Sequence, residues 1–166
     1  MRKRFLTLAF LLSVISLQSQ TLTIPEMEQF LRQHCSYFEK GTEAWNVYYD
    51  QQLLFVLFDE TTERLRIFTP VINTNDLENG QLETMMEANF KSSLDARYAL
   101  YEGFVVALYT HPTKEITARH LQKGLQQVTR LHNTFGTTYT SGERELPRRE
   151  RRENKKVIDR ERVTRS

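Results

Sequence analysis

Residues 96–112 read ARYALYEGFVVALYTHP, and this stretch decides the fold. Tyr98, Tyr101, Phe104, Val105, Val106, Tyr109 and Thr110 are β-branched or aromatic, the side chains that suit a pleated surface. Glu102-Gly103 fits a two-residue turn, because Gly103 can take positive φ. Pro112 closes the second strand, since proline has no N–H for a ladder. The stretch therefore predicts a tight β-hairpin at the centre of a sheet. Its register sets Tyr101 opposite Phe104, Ala99 opposite Val106 and Arg97 opposite Leu108 on one face. The other face carries Leu100 with Val105, Tyr98 with Ala107 and Ala96 with Tyr109. Both faces are largely apolar, whereas a sheet with one wet face alternates apolar and polar residues. Two arrangements satisfy this. Helices cover both faces, or helices cover one and a partner protein or second subunit covers the other.

Working outward, Thr23 with Glu26 three residues later forms a capping box, and Pro25 suits the first turn. Met27, Phe30, Leu31, His34 and Phe38 recur at helical spacing, which predicts a helix over 24–37 ended by Gly41. In the next strand Trp45, Val47 and Tyr49 point one way and Ala44, Asn46 and Tyr48 the other. Leu53 to Phe58 is continuously apolar and reads as a central strand. A third strand spans 64–69 and stops at Pro70, followed by an Asn- and Asp-rich loop to Gly80. A helix over 81–90 places Leu82, Met85, Met86 and Phe90 on one side. After the hairpin, Leu121, Leu125, Val128, Leu131, His132 and Phe135 stripe a helix over 117–135, with Gly136 past its end. Gly124 sits near that stripe, where a close helix–sheet approach would explain it.

Charge divides the chain of 166 residues into three parts. Arg2, Lys3 and Arg4 precede an uncharged run from Phe5 to Leu17, the layout of a secretory signal peptide. Thirteen residues of helix reach about 20 Å, short of a ~30 Å hydrocarbon core, which favours export over a permanent anchor. Residues 143–166 hold ten Lys or Arg against six Asp or Glu, while residues 5–142 hold fifteen acidic against ten basic residues. The sequence pI near 8.7 is thus an average of an acidic body and a basic tail, and makes no case for nucleic-acid binding by the body. The expected division is a signal peptide over 1–19, one folded domain over 20–140 and a charged, disordered tail over 141–166. That tail either stays solvated or contacts an acidic surface.

No motif in the chain carries chemistry. His34, His111, His120 and His132 lack zinc-site spacing, and His120 and His132 stand about 18 Å apart along one helix. Cys35, the only cysteine, excludes an internal disulfide and falls on an apolar helical stripe, so burial is expected. The six glycines are scattered and form no phosphate cradle. No cofactor and no metal is expected.

The order helix, three strands, helix, two strands, helix, together with ETMMEANF (83–90), RYALYEGFVVALYTHP (97–112) and the helix over 116–135, resembles the type III secretion chaperone-like fold, including the Tir chaperone and YbjN-like groups. Asn89, Gly103 and Pro112 stand where that resemblance has a helix-ending turn, a hairpin glycine and a strand-ending proline. It implies an α+β fold with an antiparallel sheet of about five strands and three helices. It also implies a small, acidic, non-enzymatic protein, often dimeric, that binds extended segments of other proteins. A signal peptide and a basic extension depart from the pattern. The reading is an exported, periplasmic or secreted binding module that engages a protein partner or itself through its sheet. Aromatic candidates for that contact are Trp45, Tyr49, Phe68, Tyr101 and Phe104, whose faces the sequence does not assign. The rival readings are a small periplasmic enzyme with a His/carboxylate cleft and an envelope protein tethered by its N-terminal helix.

Overall fold

The computed structural model describes residues 20–42 and 44–142. The expected signal peptide (1–19) and residues 143–166 of the tail lie outside the described residues. The elements are α1 (Ile24–His34), β1 (Tyr37–Lys40), β2 (Ala44–Tyr49), β3 (Gln52–Asp59), β4 (Arg64–Asn73), α2 (Gln81–Lys91), β5 (Arg97–Tyr101), β6 (Phe104–Pro112) and α3 (Ala118–Asn133). Short 3-10 turns precede α2 and α3. The strands form one antiparallel sheet in the order β1-β2-β3-β4-β6-β5. The fold is α+β, with six strands where about five were expected. The additional strand is β1. The spacing of Phe38 continues the α1 stripe, but α1 stops at His34, and Phe38 pairs with Val47 instead.

Local chemistry explains the boundaries. The Thr23 N–H donates to Glu26 Oε2 at 2.7 Å, half of the capping box that starts α1. Thr117 caps α3 by accepting from the His120 N–H. The central turn of the hairpin has positive φ at both Glu102 (47°) and Gly103 (79°), the type I′ geometry that matches strand twist. Five expected pairs, Tyr101–Phe104 through Arg97–Leu108, are in register. The hairpin lies at one side of the sheet rather than its centre, with β6 against β4 and β5 outermost. Part of the β5 edge is closed by a side chain. Asn89 of α2 donates to the Tyr98 carbonyl at 3.0 Å and accepts the Tyr98 N–H at 2.7 Å, as a neighbouring strand would. β4 runs through Pro70 instead of stopping there, and its register with β6 shifts between Pro70 and Ile72. A bulge is where a strand tolerates a residue without an N–H.

The three helices share one core with one face of the sheet. Met27 and Leu31 of α1, Met85 and Ala88 of α2, and Leu121, Leu125, Val128 and Leu131 of α3 pack with Val47, Leu54, Val56, Leu65, Ile67, Ala107 and Tyr109. Gly124 lets α3 sit close: a Cβ there would lie 2.8 Å from both Ile67 Cδ1 and Tyr109 Cδ1. Gln127, buried, accepts the Asp95 and Ala96 N–H groups at 2.8 and 2.9 Å, tying the α2–β5 connection to α3. The chain after α3 also docks. Ser92 Oγ donates to the Tyr139 carbonyl, Thr140 Oγ1 donates to the Ser92 carbonyl, and the Leu94 N–H donates to Ser141 Oγ. Packing therefore continues through Ser141 and Gly142, both buried. On α2 the expected stripe splits: Met85 is buried, while Leu82, Met86 and Phe90 face outward.

Candidate binding surface

Alternation along the strands puts a second set of side chains on the sheet face opposite the helices. One row across the sheet runs Asn46, Phe55, Phe68, Leu108, Arg97. Flanking rows bring Tyr48 to Leu53, Leu57 to Arg66 and Thr110, and Pro70 to Val106 and Ala99. At the hairpin end Asn73, Phe104 and Tyr101 line up. Phe55 stacks on Phe68 with ring centroids 5.3 Å apart, and Tyr101 meets Phe68 edge-on at 5.8 Å. Both separations lie in the favourable range for aromatic pairs. Tyr101 and Phe104 are 52% and 41% exposed. The face is thus an aromatic strip over β3, β4 and the hairpin, on the side of the sheet away from the helix-packed core.

Charges bracket the strip. Arg66 meets Asp59 at 2.6 Å. Hydrogen bonds from Thr62 and Arg66 hold the Asp59 carboxyl well below its ordinary range. At the other end the Arg97 guanidinium donates to the Leu94 carbonyl. Asn46 donates to Glu39 at 3.3 Å beside β1.

The five aromatic candidates divide between the faces. Phe68, Tyr101 and Phe104 lie on the strip. Trp45 lies on the helix side, 4% exposed, with Phe38 and Phe58 at 5.4 and 4.6 Å. Tyr49 lies on that side too, packed against the core. Phe55, Leu53, Leu57 and Leu108 were missed as strip residues. The signal for the first three was present in the run Leu53 to Phe58, which is apolar on both faces.

Of the four histidines, His111 and His120 meet. His34 stacks on Phe30, centroids 3.9 Å apart. His111 and His120 are in ring contact at 4.4 Å, and their Nδ1 atoms sit against the Pro112 and Glu115 carbonyls. Burial pushes the Cys35 thiol up to about 11, which keeps it protonated and unreactive. A groove of about 1100 Å³ lies beside α3, with Tyr49, Asp95, Lys123, Gln127 and Arg130 in its wall and no His or Cys. Among the described residues no three His, Cys, Asp or Glu side chains are grouped to hold a metal ion. No described helix is long and apolar enough to cross a membrane. An apolar, aromatic face bracketed by the Arg66–Asp59 pair at one end and Arg97 at the other can bind.

No family model matches the chain, and no curated protein matches it. Solved structures do. The chain is similar to one in the structure of the HopA1–SchA chaperone–effector complex (15% identity, TM-score 0.52), covering 66% of this chain and 88% of that one. It is similar to one in the ExsC–ExsE complex (17% identity, TM-score 0.50), covering 68% and 92%. It is also similar to one in the complex of the Yersinia pestis type III secretion chaperone SycH with a stable fragment of YscM2 (16% identity, TM-score 0.50), covering 66% and 99%. The fold is that of the type III secretion chaperones. At these identities the likeness establishes the fold alone.

Proposed function

We propose that this chain is a non-enzymatic, exported protein-binding module that holds a segment of another protein against the uncovered face of its sheet. The observation that carries the reading is the strip Phe55–Phe68–Tyr101–Phe104, partly solvent-exposed on the face away from the helices. Aromatic residues around a depleted-charge centre are the composition that interface cores favour. One structural neighbour comes from a chaperone–effector complex, which supports a protein-binding reading. The N-terminal charge and apolar pattern supports export, to the periplasm or the exterior of a bacterium.

The test is a pull-down from the envelope fraction of the exporting organism. Wild-type chain is compared with Phe55→Asp and Phe104→Asp. Specific capture by the wild type, lost in both variants with unchanged circular dichroism, is the expected result. Capture that survives both substitutions would place binding elsewhere.

A further inference from the structure

His111 and His120 are brought together by the fold and not by a sequence motif, since they stand nine residues apart. The connection from β6 to α3 sets one over the other. Pro112 ends the strand, the 3-10 turn Thr113–Glu115 follows, and Thr117 starts α3 by accepting the His120 N–H. His120 thus sits in the first turn of α3 against the end of β6, with ring centroids 4.4 Å apart and planes 31° from parallel. Tyr109, two residues earlier on the same face of β6, also stacks on His111, with centroids 6.1 Å apart. Both imidazoles are half-buried.

Hydrogen bonding decides which ring nitrogen is free. His111 Nδ1 lies 2.9 Å from the Pro112 carbonyl oxygen, and His120 Nδ1 lies 3.3 Å from that of Glu115. A carbonyl only accepts, so each Nδ1 carries the hydrogen. In the neutral ring the lone pair is then on Nε2. Among the described residues no group hydrogen-bonds to Nε2 of either ring. A metal-ligating histidine is held in the same way: its other nitrogen donates to a carbonyl or carboxylate, which fixes tautomer and orientation. The other two histidines stand apart. His34 stacks on Phe30, and His132 Nδ1 meets Asn133 Oδ1 at 3.0 Å.

Two metal–nitrogen bonds of about 2.0–2.1 Å hold their nitrogens roughly 3–4 Å apart. Rings already in contact reach that separation by side-chain rotation, with no shift of the backbone. The nearby cations are directed elsewhere: Lys114 pairs with Glu63 at 2.5 Å, and Arg119 is exposed. Neutral imidazoles suit copper, nickel and zinc, and of these divalent ions copper binds such donors most tightly.

We propose that Nε2 of His111 and Nε2 of His120 bind one copper(II) ion, with water completing its coordination. The ion ties the end of β6 to the start of α3. It does so on the helix side of the sheet, where Tyr109 packs in the core, and leaves the aromatic strip free.

The full chain is titrated with copper(II) chloride. Binding is followed by calorimetry and by electron paramagnetic resonance, which resolves coupling to each bound nitrogen. His111→Asn and His120→Asn keep an amide near the Nδ1 position and remove Nε2, while His34→Asn and His132→Asn are controls. The expected result is one ion per chain coupled to two imidazole nitrogens. Affinity should fall about tenfold or more in H111N and in H120N, and stay unchanged in both controls. Should H111N lose its native circular dichroism, H120N and the two-nitrogen signal of the wild type decide. Unchanged affinity in H120N, a signal from a single imidazole, or an equal loss in all four variants would overturn the proposal and leave an adventitious ion only.

Discussion

Replacing Gly124 by Ala tests the packing of α3 on the sheet. In an exposed helix interior this change gains about 1 kcal/mol. Here the new methyl would sit 2.8 Å from Ile67 Cδ1, 2.8 Å from Tyr109 Cδ1 and 3.0 Å from Tyr109 Cε1. The Ile67 end methyl can turn away, but the Tyr109 ring is buried and has no room. Overpacking of this kind costs about 1–3 kcal/mol. The balance is a net loss of about 1 kcal/mol, a fall in Tm of roughly 4 °C for a domain of this size. Differential scanning calorimetry of the single variants and the double variant with Ile67→Val completes the test. Ile67→Val alone should cost about 0.5–1.5 kcal/mol. In the Gly124→Ala background it should cost less, because it removes one of the three crowding atoms, leaving a coupling of at least ~0.5 kcal/mol. A rise in Tm of roughly 4 °C for Gly124→Ala, with additive behaviour in the double variant, would refute the close approach of α3.

Three further outcomes are expected. Gln127→Leu strands the Asp95 and Ala96 N–H groups, each worth about 1–3 kcal/mol when left unmade, so the urea midpoint should fall clearly; a loss under ~1 kcal/mol would mean that water replaces the side chain. Asp59 is held below its ordinary value near 3.8 by Thr62 and Arg66, so its contribution is present above that pH and is lost as pH falls through the depressed folded-state value. Stability measured from pH 5 downward should therefore fall less steeply in Asp59→Asn than in the wild type. Ending the chain after Thr138 removes Tyr139, Thr140 and Ser141 with their hydrogen bonds to Ser92 and Leu94, and should lower Tm by more than about 5 °C, while ending it after Gly142 should change Tm by less than that.

The hairpin was legible because local rules fix it. A two-residue turn sets the register, and the register sets which side chains share a face. The strand β1 was not legible, because four residues following a helix carry too little periodicity to break the α1 pattern that Phe38 continues. The passage of β4 through Pro70 was hidden for a related reason: a bulge is a property of two strands together, and Pro70 reads as a stop when only one is considered. The hairpin's place at the side of the sheet follows from β6 pairing with β4, a long-range contact with no sequence period. The candidate site was half legible. Aromatic residues were identified as contact candidates, but alternation gives only their relative parity. Which parity faces the helices is set by the whole sheet, which sends Trp45 inward and Phe68 outward. The α2 stripe shows the same limit. Spacing marks Leu82, Met86 and Phe90 as a face without saying that the helix is rotated to bury Met85 and Ala88 instead.

Site-specific photo-crosslinking tests the central claim, that the uncovered sheet face holds another protein, most directly. A photoreactive phenylalanine analogue is placed at Phe55, at Phe104 and, as a control on the outer side of α3, at Gln122, in the full chain expressed in the exporting organism. The account predicts one discrete crosslinked protein of the same mass from Phe55 and Phe104 and none from Gln122. A crosslink from Gln122 with none from either sheet position would contradict it.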